Sequence, residues 1–339
     1  MSNKRKIVKT VIFVLGAIFL LFLPFITKSQ YQIHIVNMCG IYILLSLGLN
    51  IAMGYTGQFN LAMGPLWGIG GYTAGILNTK FGLPFWVNLP IAILLAGLVG
   101  AFVGLPSLKV RAHYLSIVTI GLGEMLNLIL VNEEKLTGGV LGILGITAPK
   151  FLGIPIDSDG KYYYIILTFV VLGYLLARQI VANRVGRSFR AIRDDPLTAQ
   201  AMGVNIGNYK ILAFFISAAY AGAAGALYAH LNTYISPDIF DYRSTMFIMT
   251  MTMVGGIGSL SGSIIGGILL PILQEYLRAI QSWQLVGYGL IILLVVLFVP
   301  GGIIQIVQRK APNHKITLHR RHKSTHAAKK SEENDVLGS

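Results

Sequence analysis

Apolar runs of about 20 residues recur along nearly the whole of this chain, and that length is what crosses about 30 Å of hydrocarbon. They fall near 33–53, 59–77, 84–105, 114–131, 162–178, 211–230, 244–258, 262–277 and 285–304, after a first run that ends at Ile26. Backbone groups in lipid must satisfy one another within a segment, so such runs fold as helices. The expected fold is therefore all-α: a polytopic membrane protein of about ten transmembrane helices. The third, eighth and ninth runs are short and rich in glycine, so some of these helices should be short or broken. Lys4, Arg5, Lys6 and Lys9 before the first run resemble the start of a signal peptide. That run is too long for one and no small-residue cleavage site follows it, which reads as a retained first helix.

Charge sets the orientation. The chain is 54% hydrophobic and 12% charged, with a formal net charge of +14. A basic balance can mean nucleic acid, but here Lys and Arg sit in short connections and at both termini, not on one folded face. With the N-terminus inside, twenty of the 27 Lys and Arg fall on the inner side. Both termini are therefore expected in the cytoplasm. The membrane domain should span 1–305. The tail at 306–339 is polar, basic and without apolar periodicity, which reads as a disordered segment able to rest on anionic lipid. The lone cysteine, Cys39, excludes an internal disulfide and reads as a packed small residue, and no Cys/His cluster has metal-ligand spacing.

The longest polar segment between two spans is 178–210, on the cytoplasmic side. Arg184, Arg187 and Arg190 recur every three residues and share a helix face. Asp194, Asp195 and Pro196 follow. Asp is a good N-cap, Pro is favoured at the first helical position, and two carboxylates suit the helix dipole. Leu197 to Met202 should be a short helix about 9 Å long, stopped by Gly203 in a left-handed conformation. Two helical pieces with a sharp corner, projecting from the membrane, suit docking to a cytoplasmic partner.

Several ordered blocks resemble the branched-chain amino acid ABC permeases of the LivM type. They are Arg187–Asp195 (RSFRAIRDD), Ala201–Gly203, Tyr209–Phe214 and Ser217–Tyr228 in the loop and the helix after it. Further matches are Gly54–Asn60 (GYTGQFN) with Gly68–Thr73, Tyr114–Thr119 with Glu124, Thr137–Gly139 and Gly255–Leu260 (GGIGSL). The resemblance runs in order from about residue 35 to 305 and implies that the 178–210 loop holds a coupling helix that contacts an ATPase. Carried over on the motif, Arg187, Arg190, Arg193, Asp194, Asp195 and Gly203 are the docking candidates. Pro196 departs from the acidic residue the family often has there, and Leu197-Thr-Ala199 is a degraded form of an importer-wide motif. These departures bear on individual ATPase contacts, not on where the loop lies.

Two glycine-rich zones occupy corresponding places in the two halves: seven glycines between Gly54 and Gly75, and six between Gly255 and Gly267. Interrupted hydrophobic segments in both halves point to an internal repeat with a substrate route between them. Close helix packing through small residues is the competing reading. Gly57, Gln58 and Asn60 in the first zone, and Gly256 and Ser259 in the second, are candidates to line the route. So is Glu124, a carboxyl within a span, which must face a partner or water. It could instead hold adjacent helices, with Asn127 one turn on sharing its face. Asn50 reads as a helix-to-helix hydrogen bond.

No phosphate-binding Gly-x-x-x-x-Gly-Lys-Ser/Thr loop occurs, so the chain does not itself hydrolyse ATP. Leu260-Ser-Gly-Ser263 lacks the rest of an ATPase signature, and there is neither a nucleophile elbow nor a His-Glu-x-x-His. The resemblance then implies a non-enzymatic transport subunit of a bacterial inner membrane. It would carry leucine, isoleucine or valine and bind no cofactor, with ATP and Mg on partner subunits. The implied partners are a homologous permease, two cytoplasmic ABC ATPases and an external substrate-binding protein, with no nucleic acid. The same machine carrying urea, short amides or another amino acid is one alternative. A gradient-driven secondary carrier using Glu124 is another. A carrier works alone, whereas such a permease needs its ATPases.

Overall fold

The computed structural model describes residues 29–278 apart from 109, 111, 152, 153 and 157, together with 24, 289, 302 and 303. The helices expected up to Ile26 and over 285–304, and the tail at 306–339, lie outside the described residues apart from those isolated positions.

The expected runs appear as helices in order. They are α1 Gln30–Asn50, α2 Met63–Phe81, α3 Phe85–Gly104, α4 Ala112–Asn132 and α5 Asp159–Ala182, then α6 Arg184–Asp194 and α7 Pro196–Ala201 in the polar loop, and α8 Ile206–Asn232, α9 Tyr242–Gly255 and α10 Leu260–Arg278. Among the described residues, six helices are long and apolar enough to cross a membrane. They correspond to α1, α3, α4, α5, α8 and α10. The expected third and eighth crossings are α2 and α9. The first is full length but glycine-diluted, and the second has 14 residues, about 21 Å at 1.5 Å per residue, too short to span alone. The chain is thus a multi-pass, mostly helical membrane protein. The all-α expectation needs one amendment. The connection after α4 contains two-residue strands, with Ile143–Leu144 pairing antiparallel to Tyr234–Ile235 and Lys150–Phe151 to Ile154–Pro155.

Most residues of α1 and α8 are buried, whereas few residues of α4 and α5 are. Small residues explain the central place of α8. A methyl group built on Gly70 would fall 2.5 Å from Gly222 Cα, and one on Gly222 2.6 Å from the Ala92 carbonyl. The α8 backbone therefore lies directly against α2 and α3, gaining dispersion contacts where lipid offers no hydrophobic driving force. Above this seam Trp67 meets Tyr228 and Phe240 edge-on, each at 4.9 Å between ring centroids.

Candidate coupling and translocation site

The polar loop folds as its local chemistry dictates. On α6, Gly186, Phe189 and Ile192 turn inward at three-residue spacing while Arg184, Arg187, Arg190, Arg193 and Asp194 are exposed. Phe189 is fully buried and lies edge-on to Tyr209 at 6.1 Å, which fixes α6 against the start of α8. Asp195 caps α7: its Oδ1 accepts from the Leu197 amide at 2.9 Å and the Thr198 amide at 3.3 Å, and its Oδ2 accepts from the Thr198 hydroxyl at 2.6 Å. The Thr198 hydroxyl, then its amide, holds the Asp195 carboxyl below its ordinary range. Pro196 takes the first helical position, and Gly203, at φ +83°, ends the turn one residue after the Met202 cap. The capped corner leaves two large apolar side chains in the open, Leu197 at 78% and Met202 at 81%.

Arg193 behaves differently from the other arginines of the loop. Its Nη1 donates to the carbonyl of Gly54. Gly54 lies in a π-turn, Ile51–Tyr55, that interrupts the membrane segment begun by α1. The turn leaves helical geometry at Gly57, φ +72°, where a side chain would meet the Arg193 stem at 3.3 Å. The chain then runs without helix to Leu61, whose amide donates to Thr119 Oγ1 of α4 at 3.2 Å, and α2 begins at Met63.

The two glycine-rich zones meet at this break. Asn50, fully buried, donates through Nδ2 to the Ser259 carbonyl at 2.9 Å and to Ser263 Oγ at 2.7 Å, and accepts at Oδ1 from the Gly258 amide at 2.8 Å. A methyl on Gly54 would lie 2.5 Å from the Gly258 nitrogen, and one on Gly258 2.9 Å from Arg193 Nη1. Glycine on both sides is therefore what lets the two backbones and the guanidinium share one spot. Gly256, at φ +131°, ends α9 here, and Ser259 Oγ accepts from the Gly262 amide at 3.2 Å. Gly256 and Ser259 are thus built into the contact between the zones.

Gln58 and Asn60 stand just beyond the break. Gln58 is 3% exposed, and neither atom of its amide has a hydrogen-bond partner among the described residues. It lines a cavity of about 400 Å³ between the break and the loop, with Thr56, Leu115, Ile192, Arg193 and Lys210 among the walls. The Asn60 oxygen accepts from the Ala62 amide at 3.2 Å, and its nitrogen has no partner among the described residues. A buried amide without partners carries a desolvation cost. The cavity thus brings together two cations, the Gln58 amide and aliphatic walls.

Glu124 stands apart from this junction. It is exposed near the middle of α4, and no hydrogen bond or ion pair to it occurs among the described residues. Asn127, one turn on, donates to the Phe240 carbonyl at 3.4 Å. A carboxylate at the centre of a span costs about 3 kcal/mol on insertion scales, so it does not face lipid without compensation. The sequence marked Asn50 as a helix-to-helix hydrogen bond, which it makes, but gave it no named partner, and it marked Arg193 only as a docking residue of the cytoplasmic loop. The one signal available was the pairing of GYTG with GGIG, which marks two backbones that tolerate no side chains.

Comparison with known proteins fits this geometry. The family described as branched-chain amino acid transport system / permease component matches residues 31–299. The high-affinity branched-chain amino acid transport system permease protein LivM of Escherichia coli (strain K12) is 32% identical over 308 residues, covering 84% of this chain and 72% of that protein. LivH of the same strain, a permease protein of the same named system, is 26% identical over 304 residues, 83% of this chain and 96% of its own. BraD of Pseudomonas aeruginosa, another such permease protein, is 27% identical over 282 residues, 78% and 91% respectively. No solved structure matches. An interrupted span sealed by glycine and asparagine, reached from a capped polar loop, is set in a chain that belongs to the permease component family of branched-chain amino acid transport systems.

Proposed function

We propose that this chain is the permease subunit of an ATP-driven importer and forms half of the membrane route for leucine, isoleucine and valine. It works with a homologous permease, two cytoplasmic ATPases and an external binding protein. It resides in the bacterial inner membrane with both termini in the cytoplasm. It binds no cofactor, and ATP and Mg are held by the ATPases. The ATPases dock on the 178–210 loop, where Arg187, Arg190, Asp194 and the exposed Leu197 and Met202 offer charge and apolar surface.

The observation that carries this reading is the hydrogen bond from Arg193 to Gly54. It ties a cytoplasmic corner to a break in a membrane helix, which a solvated linker has no reason to do. When the ATPases close, α6 and α7 move as a rigid lever, since Phe189 and the Asp195 cap leave them little internal freedom. Arg193 then pulls on the Gly54–Gly258 junction, and the route lined by Gly57, Gln58 and Asn60 changes its access. Glu124, on the exposed face of α4, lies away from this part of the route. A path of weakly polar groups suits passage better than a tight site, which would slow release.

The test is purification of the subunit from detergent-solubilised membranes, wild type beside an Arg190→Glu/Asp195→Lys variant. Recovery of ATPases with the wild type and their loss with the variant is expected. Amino-acid movement by the isolated wild type in proteoliposomes without ATP would refute the reading.

A further inference from the structure

Three long helices expose broad faces, and one of them is unlike the others. The exposed large side chains of α3 are Trp86, Val87, Ile91, Leu94, Leu95, Leu98 and Phe102, and those of α5 are Val171, Leu172, Leu175 and Leu176. Apart from Thr168 on α5, whose hydroxyl donates back to the Tyr164 carbonyl at 2.7 Å, both faces are apolar through the middle of the span, as lipid requires. The exposed face of α4 carries Tyr114, Ile117, Gly121, Glu124 and Leu128, at alternating spacings of three and four residues. That spacing keeps all five on one stripe along the helix. Glu124 stands about 18 Å from one end of α4 and about 12 Å from the other at 1.5 Å per residue, near mid-bilayer. Beside it, a side chain at Gly121 would meet nothing within 4 Å, so a neighbour can approach the backbone closely.

We infer that this α4 stripe is the face on which a second, homologous permease chain of the same family sits, with Glu124 turned toward that chain and not toward lipid. The inference rests on the proposed importer function and adds to it the side of the molecule that meets the partner. Two arguments favour this occupant over lipid and over unrelated proteins. A mid-span carboxyl needs a hydrogen-bonding or watery neighbour, and the outer faces of α3 and α5 show what this chain presents where lipid suffices. The chain also matches two different permease proteins of one named transport system, LivM and LivH, over more than four fifths of its length. Related chains share a helix order, so each can offer its own α4 face to the other about a near two-fold axis.

The experiment places the photocrosslinker p-benzoylphenylalanine at Ile117 or Leu128 in one set of cells. In another set it goes at Leu98 on α3 or Leu172 on α5, in the full importer in native membranes. All four side chains are exposed, at 67%, 58%, 55% and 48%, so the substitutions leave the packed interior alone. Irradiation is expected to trap the second permease from Ile117 and Leu128 at least ten times more than from Leu98 and Leu172, which should take up lipid. Trapping of lipid alone at both α4 positions overturns the inference, as does preferential trapping of the permease from α3 or α5. An adduct with a second copy of this chain overturns the choice of partner. The same membranes are assayed for ATPase co-purification and ATP-dependent uptake. If both persist while α4 traps lipid, the interface is elsewhere and the importer stands. If the wild type brings down no ATPase, the importer reading itself falls.

Discussion

Replacing Arg193 with methionine tests the lever directly. Methionine keeps an apolar stem beside Gly57 and removes only the guanidinium that donates to the Gly54 carbonyl. A hydrogen bond to a charged group contributes roughly 1.5–3 kcal/mol. Arg193 is exposed, so solvent screening puts the expected loss near the lower end, about 1.5 kcal/mol. Since about 1.4 kcal/mol is a factor of ten, the number of amino acids imported per ATP hydrolysed should fall about tenfold. The assay is the complete importer in proteoliposomes, with uptake and phosphate release measured on the same sample. ATPase co-purification should be retained, because Arg190, Asp195, Leu197 and Met202 remain. Arg184→Met, exposed at the start of α6 and with no hydrogen bond to the break among the described residues, serves as the control and should leave the ratio within about twofold. An unchanged ratio in Arg193→Met, with the ATPases still bound, would refute the lever. So would an equal fall in Arg184→Met.

Three further outcomes follow from the packing. Gly54→Ala puts a methyl onto the Asn50 amide and 2.5 Å from the Gly258 nitrogen, so the folded fraction in detergent size exclusion should drop, by about 2–3 kcal/mol of overpacking, whereas Gly121→Ala should behave as wild type. Asn50→Leu keeps volume but strips the Gly258 amide and the Ser259 carbonyl of their partner, and a thermal-shift assay should show a loss of about 2–4 kcal/mol. Asp195→Ala should speed hydrogen exchange at the Leu197 and Thr198 amides, with Asp195→Asn closer to wild type. Because the folded-state value of Asp195 is lowered, the cap's contribution is complete above the ordinary carboxylate range and is lost as pH falls through the lowered value. Unchanged exchange at these two amides in Asp195→Ala at pH 7 would count against the cap.

What the sequence by itself determined is what depends on neighbours along the chain. The spans at 33–53, 84–105, 114–131, 162–178 and 211–230 became α1, α3, α4, α5 and α8, because length and apolarity leave lipid-exposed backbone no other choice. The corner at Asp195, Pro196 and Gly203 was legible for the same reason: a cap, a fixed φ and a left-handed stop act within a few residues. The tertiary structure decided what each polar group meets. Asn50 and Gly258 are about 200 residues apart, and only the packing of α1 on the second glycine zone makes one the partner of the other. Arg193 has the same spacing as Arg184, Arg187 and Arg190, yet it alone donates to Gly54, because the π-turn brings that carbonyl to the end of α6. Glu124 could have pointed inward or outward on the evidence of its spacing. It points outward because Leu115, Thr119, Gly123 and Leu130 take the inner face of α4, and a helix has only one face to give to its own core.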